Sequence, residues 1–185
     1  MLLKLKKNQK TIPEEVFLQK ELQVLEISGE SLQVLDGRIA ELPLLKILSI
    51  SSQSLTAIPK EVFLLTKLET LKLKNCSLEF LPDVTPLCPL KNLHLTGNKL
   101  SELPEWFGQL AVLEFLDIGG NQLKRLPESF ENLTRLKRLN LDHNLFEALP
   151  SCLEKMKQIN HLSLDENPFS EDEKDRIQAV LGIWF

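Results

Sequence analysis

The chain has 185 residues, a formal net charge of -4 at pH 7 and a hydrophobic content of 43%. That much apolar material supports a buried core and excludes a disordered chain. The mild acidity argues against a nucleic-acid partner, which would need a basic patch, and no run of about eighteen apolar residues offers insertion into a membrane.

The opening "MLLKLKK" breaks its leucines with Lys4, Lys6 and Lys7. An export signal needs an unbroken apolar stretch there, so no leader is expected; secretion would require one already removed. Together with Lys10 these lysines read as a solvated edge. Cys76, Cys88 and Cys152 are an odd, widely spaced set that fits neither a metal knuckle nor a disulfide framework. They point to a reducing, cytoplasmic compartment.

From residue 22 onward the chain repeats itself. Copies start at Leu22, Leu45, Leu68, Leu90, Leu113, Leu136 and Ile159, in steps of 23, 23, 22, 23, 23 and 23 residues. "LKNLHLTGNKLSELP" from Leu90 is the fullest copy, and "LQVLEISGESLQVL" from Leu22 the most worn. Within each copy an LxL core alternates its side chains across a short strand. One such strand cannot bury its apolar face alone. Stacked neighbours complete a continuous core, so the chain is expected to coil as a solenoid with a parallel sheet on one side. An eighth strand is expected at the start, where Leu3 and Leu5 match later strand positions and Asn8 matches a later Asn.

The return half of each copy repeats too. One column holds Val16, Ile39, Val62, Val84, Phe107, Phe130 and Leu153. The next holds Gln19, Leu42, Leu65, Leu87, Leu110, Leu133 and Met156. These predict a convex wall of short helical or irregular segments. Pro104, Pro127 and Pro150 are placed to start helical turns. The 22-residue step falls where "PDVTPLCP" interrupts the return, which predicts an altered convex loop.

Just after the strands, Asn98, Asn121, Asn144 and Asn167 share a column whose earlier members are Glu30, Gln53 and Cys76. There the chain turns inward, and a buried amide would bond exposed backbone groups across coils. Cys76 reads as a small buried filler of that column. At the C-terminus Ser170 and Glu173 form a capping-box pattern. Ile177, Val180 and Leu181 form an apolar stripe, and Ile183, Trp184 and Phe185 are expected to fold over the last coil. No comparable cap precedes the first strand, so weak self-association through that edge is an alternative role.

The pattern resembles the leucine-rich repeat family, in the "LP" subtype of about 23 residues found in bacterial and intracellular proteins. Leu90, Leu93, Leu95, Asn98, Leu100, Leu103 and Pro104 match its LxxLxLxxNxLxxLP core in full. The early copies depart from it at Glu30, Asp36, Gln53 and Cys76. The resemblance implies an α/β fold: a leucine-rich repeat solenoid with a parallel β-sheet on the concave face and short helical or irregular convex segments. It implies one domain over residues 1–185 with about eight coils, closed by a helical cap over residues 170–185. It further implies a non-catalytic module that binds a protein or peptide partner along the concave sheet, with no cofactor.

The strand pattern also gives the concave columns. Glu26, Ser49, Lys72, His94, Asp117, Asn140 and Ser163 lie between the strand leucines. Val24, Ile47, Thr70, Asn92, Phe115, Arg138 and His161 precede them, and Ser28, Ser51, Lys74, Thr96, Gly119, Asp142 and Asp165 follow. Phe115 beside Arg138, Asn140 and Asp117 has the composition of an interface centre, with a lone aromatic partly covered by Arg138 as the plainer reading. Asp117, Asp142, Asp165 and Glu166 form an acidic strip that would steer a basic partner. The expected partner-binding set is thus His94, Phe115, Asp117, Arg138, Asn140, Asp142, His161, Asp165 and Glu166. A structural role through the N-terminal edge or convex surface is one alternative. An enzyme or metal protein built on His143, His161, Asp142, Asp165 and Glu166 is another, disfavoured because an open sheet offers no pocket that excludes water.

Overall fold

The computed structural model describes every residue except 6–8 and 184–185. Expectations for Lys6, Lys7, Asn8, Trp184 and Phe185 therefore lie outside the described residues. Eight strands form one sheet in chain order: β1 (Leu2–Leu5), β2 (Val24–Ser28), β3 (Ile47–Ser51), β4 (Thr70–Leu73), β5 (Asn92–His94), β6 (Phe115–Asp117), β7 (Arg138–Asn140) and β8 (His161–Ser163). Every pair is parallel.

The register follows the repeat step. Leu3, Leu25, Leu48, Leu71, Leu93, Leu116, Leu139 and Leu162 stand side by side across the sheet. From Leu25 to Leu139 none of them is more than 2% exposed. Each such side chain contributes about 2 kcal/mol of burial, which no strand could obtain without its neighbours.

Short turns form the opposite wall. α1 (Glu14–Phe17) and α2 (Ser151–Lys155) are single α-turns, and 3₁₀ turns span Gly37–Glu41, Lys60–Leu64, Glu105–Gln109 and Glu128–Asn132. Pro104, Pro127 and Pro150 stand at the N-cap, one position before the first helical residue, as do Pro13 and Pro59. Each of these five prolines accepts a hydrogen bond from the N–H three residues on. Asp36 occupies the equivalent place in its coil, and its carboxylate caps the turn by accepting from the Arg38 N–H at 2.9 Å.

The return between β4 and β5 has no helical turn, as its shortened step predicts. One expectation fails there. Leu87 is 60% exposed, and Cys88 takes the buried place beside Phe63. The N–H groups of Leu87 and Cys88 both donate to the Phe63 carbonyl, at 2.8 and 3.1 Å. Pro82, Pro86 and Pro89 lack the N–H groups that a turn would use. Trp106 closes the thin spot: its ring meets Phe63 at 4.8 Å, and its Nε1 donates to the Pro82 carbonyl at 3.0 Å.

The Asn column forms a ladder. Asn121 Nδ2 donates to the carbonyls of Leu95 and Ile118, both at 3.0 Å, and its Oδ1 accepts from the Leu100 N–H at 3.1 Å. Asn98, Asn144 and Asn167 repeat this arrangement one coil apart. Each amide thus joins three backbone groups that water does not reach. Cys76 is a buried filler, with its thiol 3.9 Å from the Ile50 carbonyl. Glu30 and Gln53 are not in the ladder; both are exposed. Ser52, one residue earlier, is buried instead and donates to the Leu32 carbonyl at 2.9 Å. A long Gln side chain would not fit the space that a hydroxyl fills.

The residue before each ladder position from Asn75 onward is left-handed. Asn75, Gly97, Gly120, His143 and Glu166 have φ of 51°, 70°, 65°, 52° and 56°. At Gly97 a Cβ would also come within 2.4 Å of Asn75 Oδ1. Side chains are disfavoured in this region, least so for Asn and His.

After β8 the helix α3 (Glu171–Leu181) closes on Ile177, which is fully buried. Ser170 Oγ caps it, accepting from the Glu173 N–H at 3.2 Å. Glu173 does not complete the box. Its carboxylate accepts instead from the Leu149 N–H at 2.8 Å and ties the helix to the preceding coil. Val180 falls outside the buried stripe at 41% exposed.

Two substitutions test this account. Asn144→Ala leaves buried backbone groups unpaired and should lower unfolding free energy by about 3 kcal/mol in urea denaturation. Glu166→Gly relieves a left-handed side chain and should raise it by about 1 kcal/mol.

Candidate functional site

The sheet register brings the expected residues together in two adjacent columns. His94, Asp117 and Asn140 are lateral neighbours, and so are Phe115, Arg138 and His161. A cleft of about 840 Å³ opens at the C-terminal end of this face, and Phe115, Asp117, Arg138, Asn140, Asp142 and His161 line it. His94, Asp165 and Glu166 are outside the lining. The far wall is apolar, from Met156, Ile159, Leu181 and Ile183. Sequence reading places Met156 in the convex column and Leu181 and Ile183 in the cap over the last coil, but not in this site. Among the described residues no further strand pairs with β8, and Leu162 stays half-buried.

Phe115 is half-buried, and its ring packs on His94 at 4.7 Å between centroids. The ring that covers Phe115 is thus His94 rather than the Arg138 guanidinium. Arg138 is exposed, and among the described residues it forms no ion pair. His94 Nδ1 lies 3.8 Å from Asp117 Oδ2, too long for a hydrogen bond.

The acidic strip is less free than its spacing suggests. Asp117 Oδ1 lies 3.4 Å from the Gly119 N–H, Asn140 Oδ1 accepts from the Asp142 N–H at 2.8 Å, and Asp142 Oδ1 accepts from the Asp165 N–H at 2.8 Å. These side chains hold the turns after the strands as well as facing outward. Burial by itself would raise the pKa of Asp117; the contacts with His94 and Thr96, the Gly119 N–H and the field of Lys74 outweigh it and hold the carboxyl below its usual range.

The metal alternative finds no geometry. Among the described residues no group of three or more His, Cys, Asp or Glu side chains is placed to hold an ion. His143 and Glu166 are turned by their left-handed backbone, and His161 is exposed on the sheet. The three thiols are buried and free, and burial pushes each up, Cys88 to about 12. A thiol so protonated is a poor nucleophile. Among the described residues no helix is long and apolar enough to cross a membrane.

A family model described as a leucine-rich repeat region matches residues 71–182. The chain belongs to the leucine-rich repeat family. Comparison with curated proteins returns no match. Among solved structures it is similar to a leucine-rich repeat protein of Leptospira interrogans, at 28% identity and a TM-score of 0.56. The match covers 95% of this chain and 57% of that one. Leucine-rich repeat proteins usually serve protein–protein interaction and are typically not enzymes, which is the level at which the family speaks to function.

Because Asp117 has a lowered pKa in the fold, its contribution is present above the unfolded value near 3.8 and is lost as pH falls through the folded value. Wild type should therefore be more stable than Asp117→Asn at pH 7. The two stabilities should converge in urea titrations below the ordinary carboxylate range.

Proposed function

We propose that the chain is a non-catalytic module that binds a protein or peptide partner on the C-terminal half of its concave face. The observation that carries this is the tilted ring contact of Phe115 with His94, beside Arg138. A large aromatic stands half-covered on an open sheet, next to an exposed guanidinium with no carboxylate of its own among the described residues. Aromatic and arginine side chains ringed by polar groups are the composition of an interface centre.

Roles follow from freedom. Phe115, Arg138 and His161 form the contact column, because their side chains are not committed to backbone turns. Asn140, Asp142 and Asp117 form a fixed polar line beside it, with His94 supporting the Phe115 ring. Asp165 and Glu166 extend the negative charge beyond the cleft and favour the approach of a basic partner.

The test is crosslinking capture from native lysate. Wild type is compared with the double variant Phe115→Ala, Arg138→Glu and with Arg135→Glu, a charge reversal outside the cleft. The double variant should lose the captured protein at least about tenfold while Arg135→Glu retains it. Equal capture by all three would reject this face. Asp117 and Asp142 are left intact because their loss would disturb the turns as well as the surface.

A further inference from the structure

We propose that this chain associates head to tail, with β1 of one copy adding as a ninth strand against β8 of the next. Among the described residues β1 pairs with β2 alone and β8 with β7 alone, so the sheet ends in two unpaired edges. On β8, the His161 N–H donates to Lys137 and the Ser163 carbonyl accepts from Leu141, so both residues face β7. In a parallel ladder alternate residues face opposite sides, which leaves the N–H and C=O of Leu162 on the free edge. Such an edge is a template for an added strand.

The edge is also apolar. It opens into the cleft, where Ile159, Leu162, Leu181 and Ile183 are half-buried and Val180 is 41% exposed. At the other end Leu3 and Leu5 are half-buried, and Met1 and Leu2 are 58% and 53% exposed. Both ends carry apolar surface that a further strand would cover.

Three features select a second copy as the occupant. The sheet is parallel throughout, so a continuing strand must enter in the same direction, which β1 does by simple translation. Leu3 already occupies the column of Leu25, which runs on through the sheet to the half-buried Leu162, whereas the column of Leu5 ends at Leu164, which is already fully buried. The added strand would set Leu3 against Leu162 and Lys4 against Ser163. The charges of the two ends are opposite. Lys4 and Lys10 are the described charged side chains of the first ten residues, which contain no acid, whereas residues 165–176 contain six acids against Lys174 and Arg176. Head-to-tail approach is attractive, and head-to-head or tail-to-tail approach is repulsive. The contact is heterologous, so each added copy presents a fresh edge and the assembly does not close at a dimer. Leu2 of the added strand would stand beside His161, so the two roles share the cleft at that residue, while Arg138 and Phe115 lie one and two strands further in and are not paired by it.

Sedimentation equilibrium of the full chain tests this, with Leu2→Asp blocking one end and Val180→Asp the other. Both side chains are exposed, and circular dichroism checks that each variant folds. Wild type should rise from its 21.2 kDa monomer to beyond a dimer as concentration increases, and the association should weaken about tenfold between low and high salt. Each variant alone should stay monomeric. A mixture of the two has one intact edge of each kind and should form a one-to-one complex that grows no further, because the blocked ends are both acidic. A wild type that remains monomeric at every concentration would overturn the proposal. So would one that stops at a dimer, a single variant that associates by itself, or a mixture that does not pair.

Discussion

The stack of coils depends on what happens where each strand ends. The chain turns inward there, and the carbonyls of two successive coils and the N–H of a loop converge on one point that water does not reach. A side chain with two donors and one acceptor satisfies all three, and the Asn amide is the shortest that does. Asn98 reaches Leu73 at 2.8 Å and Leu95 at 2.7 Å even though the step between their copies is one residue short. The register between β4 and β5 is likewise unbroken, with Leu71 beside Leu93. The missing residue is therefore absorbed on the convex side. A slip at the ladder would strand buried polar groups, at a cost of about 1–3 kcal/mol for each, whereas the convex loop has few such bonds to lose.

That absorption explains the aromatic wall. With no turn between β4 and β5, the coils on either side approach over a thin return, and Trp106 fills the space by meeting Phe63 and Phe107. Phe107 then stacks on Phe130, which carries the packing into the regular coils. Upstream, where the ladder is worn, other groups hold the coils together. Arg38 pairs with Glu14 and Asp36 and lies over the Phe17 ring at 4.6 Å. Ser77 Oγ donates to the Gln53 carbonyl at 2.9 Å. These are surface contacts worth less than a buried amide, because solvent screens the charges and competes for the hydrogen bonds.

The strand columns could be read from the sequence because two periods combine in them: alternation within a strand and a fixed step between copies. His94, Asp117 and Asn140 are neighbours for that reason alone. What could not be read lies where one of those periods fails. Counting places Leu87 in the core column, but the proline-rich segment has no ladder to hold that count, and Cys88 occupies the core place instead. Gln53 sat in the Asn column by number, but the identity of the buried group was decided by volume, which favours Ser52. Glu173 matched a local capping rule, yet its carboxylate found a stronger claim from Leu149, 24 residues away. The fold also covers Phe115 with His94 from the coil before, a choice that depends on side-chain conformations across coils rather than on spacing.

The two columns at the proposed binding face differ in kind, and the difference follows from the ladder. Asp117, Asn140 and Asp142 lie beside the inward turns and direct oxygens toward backbone N–H groups that the amide column leaves over. They are held in place before any partner arrives, so meeting them costs little conformational entropy. Phe115, Arg138 and His161 lie one strand position further from the turns, where no backbone group claims them. A partner would thus align against a fixed polar line and be measured by an adaptable aromatic and cationic one. On this reading affinity resides chiefly in the contact column, while the polar line fixes the orientation in which that contact is made.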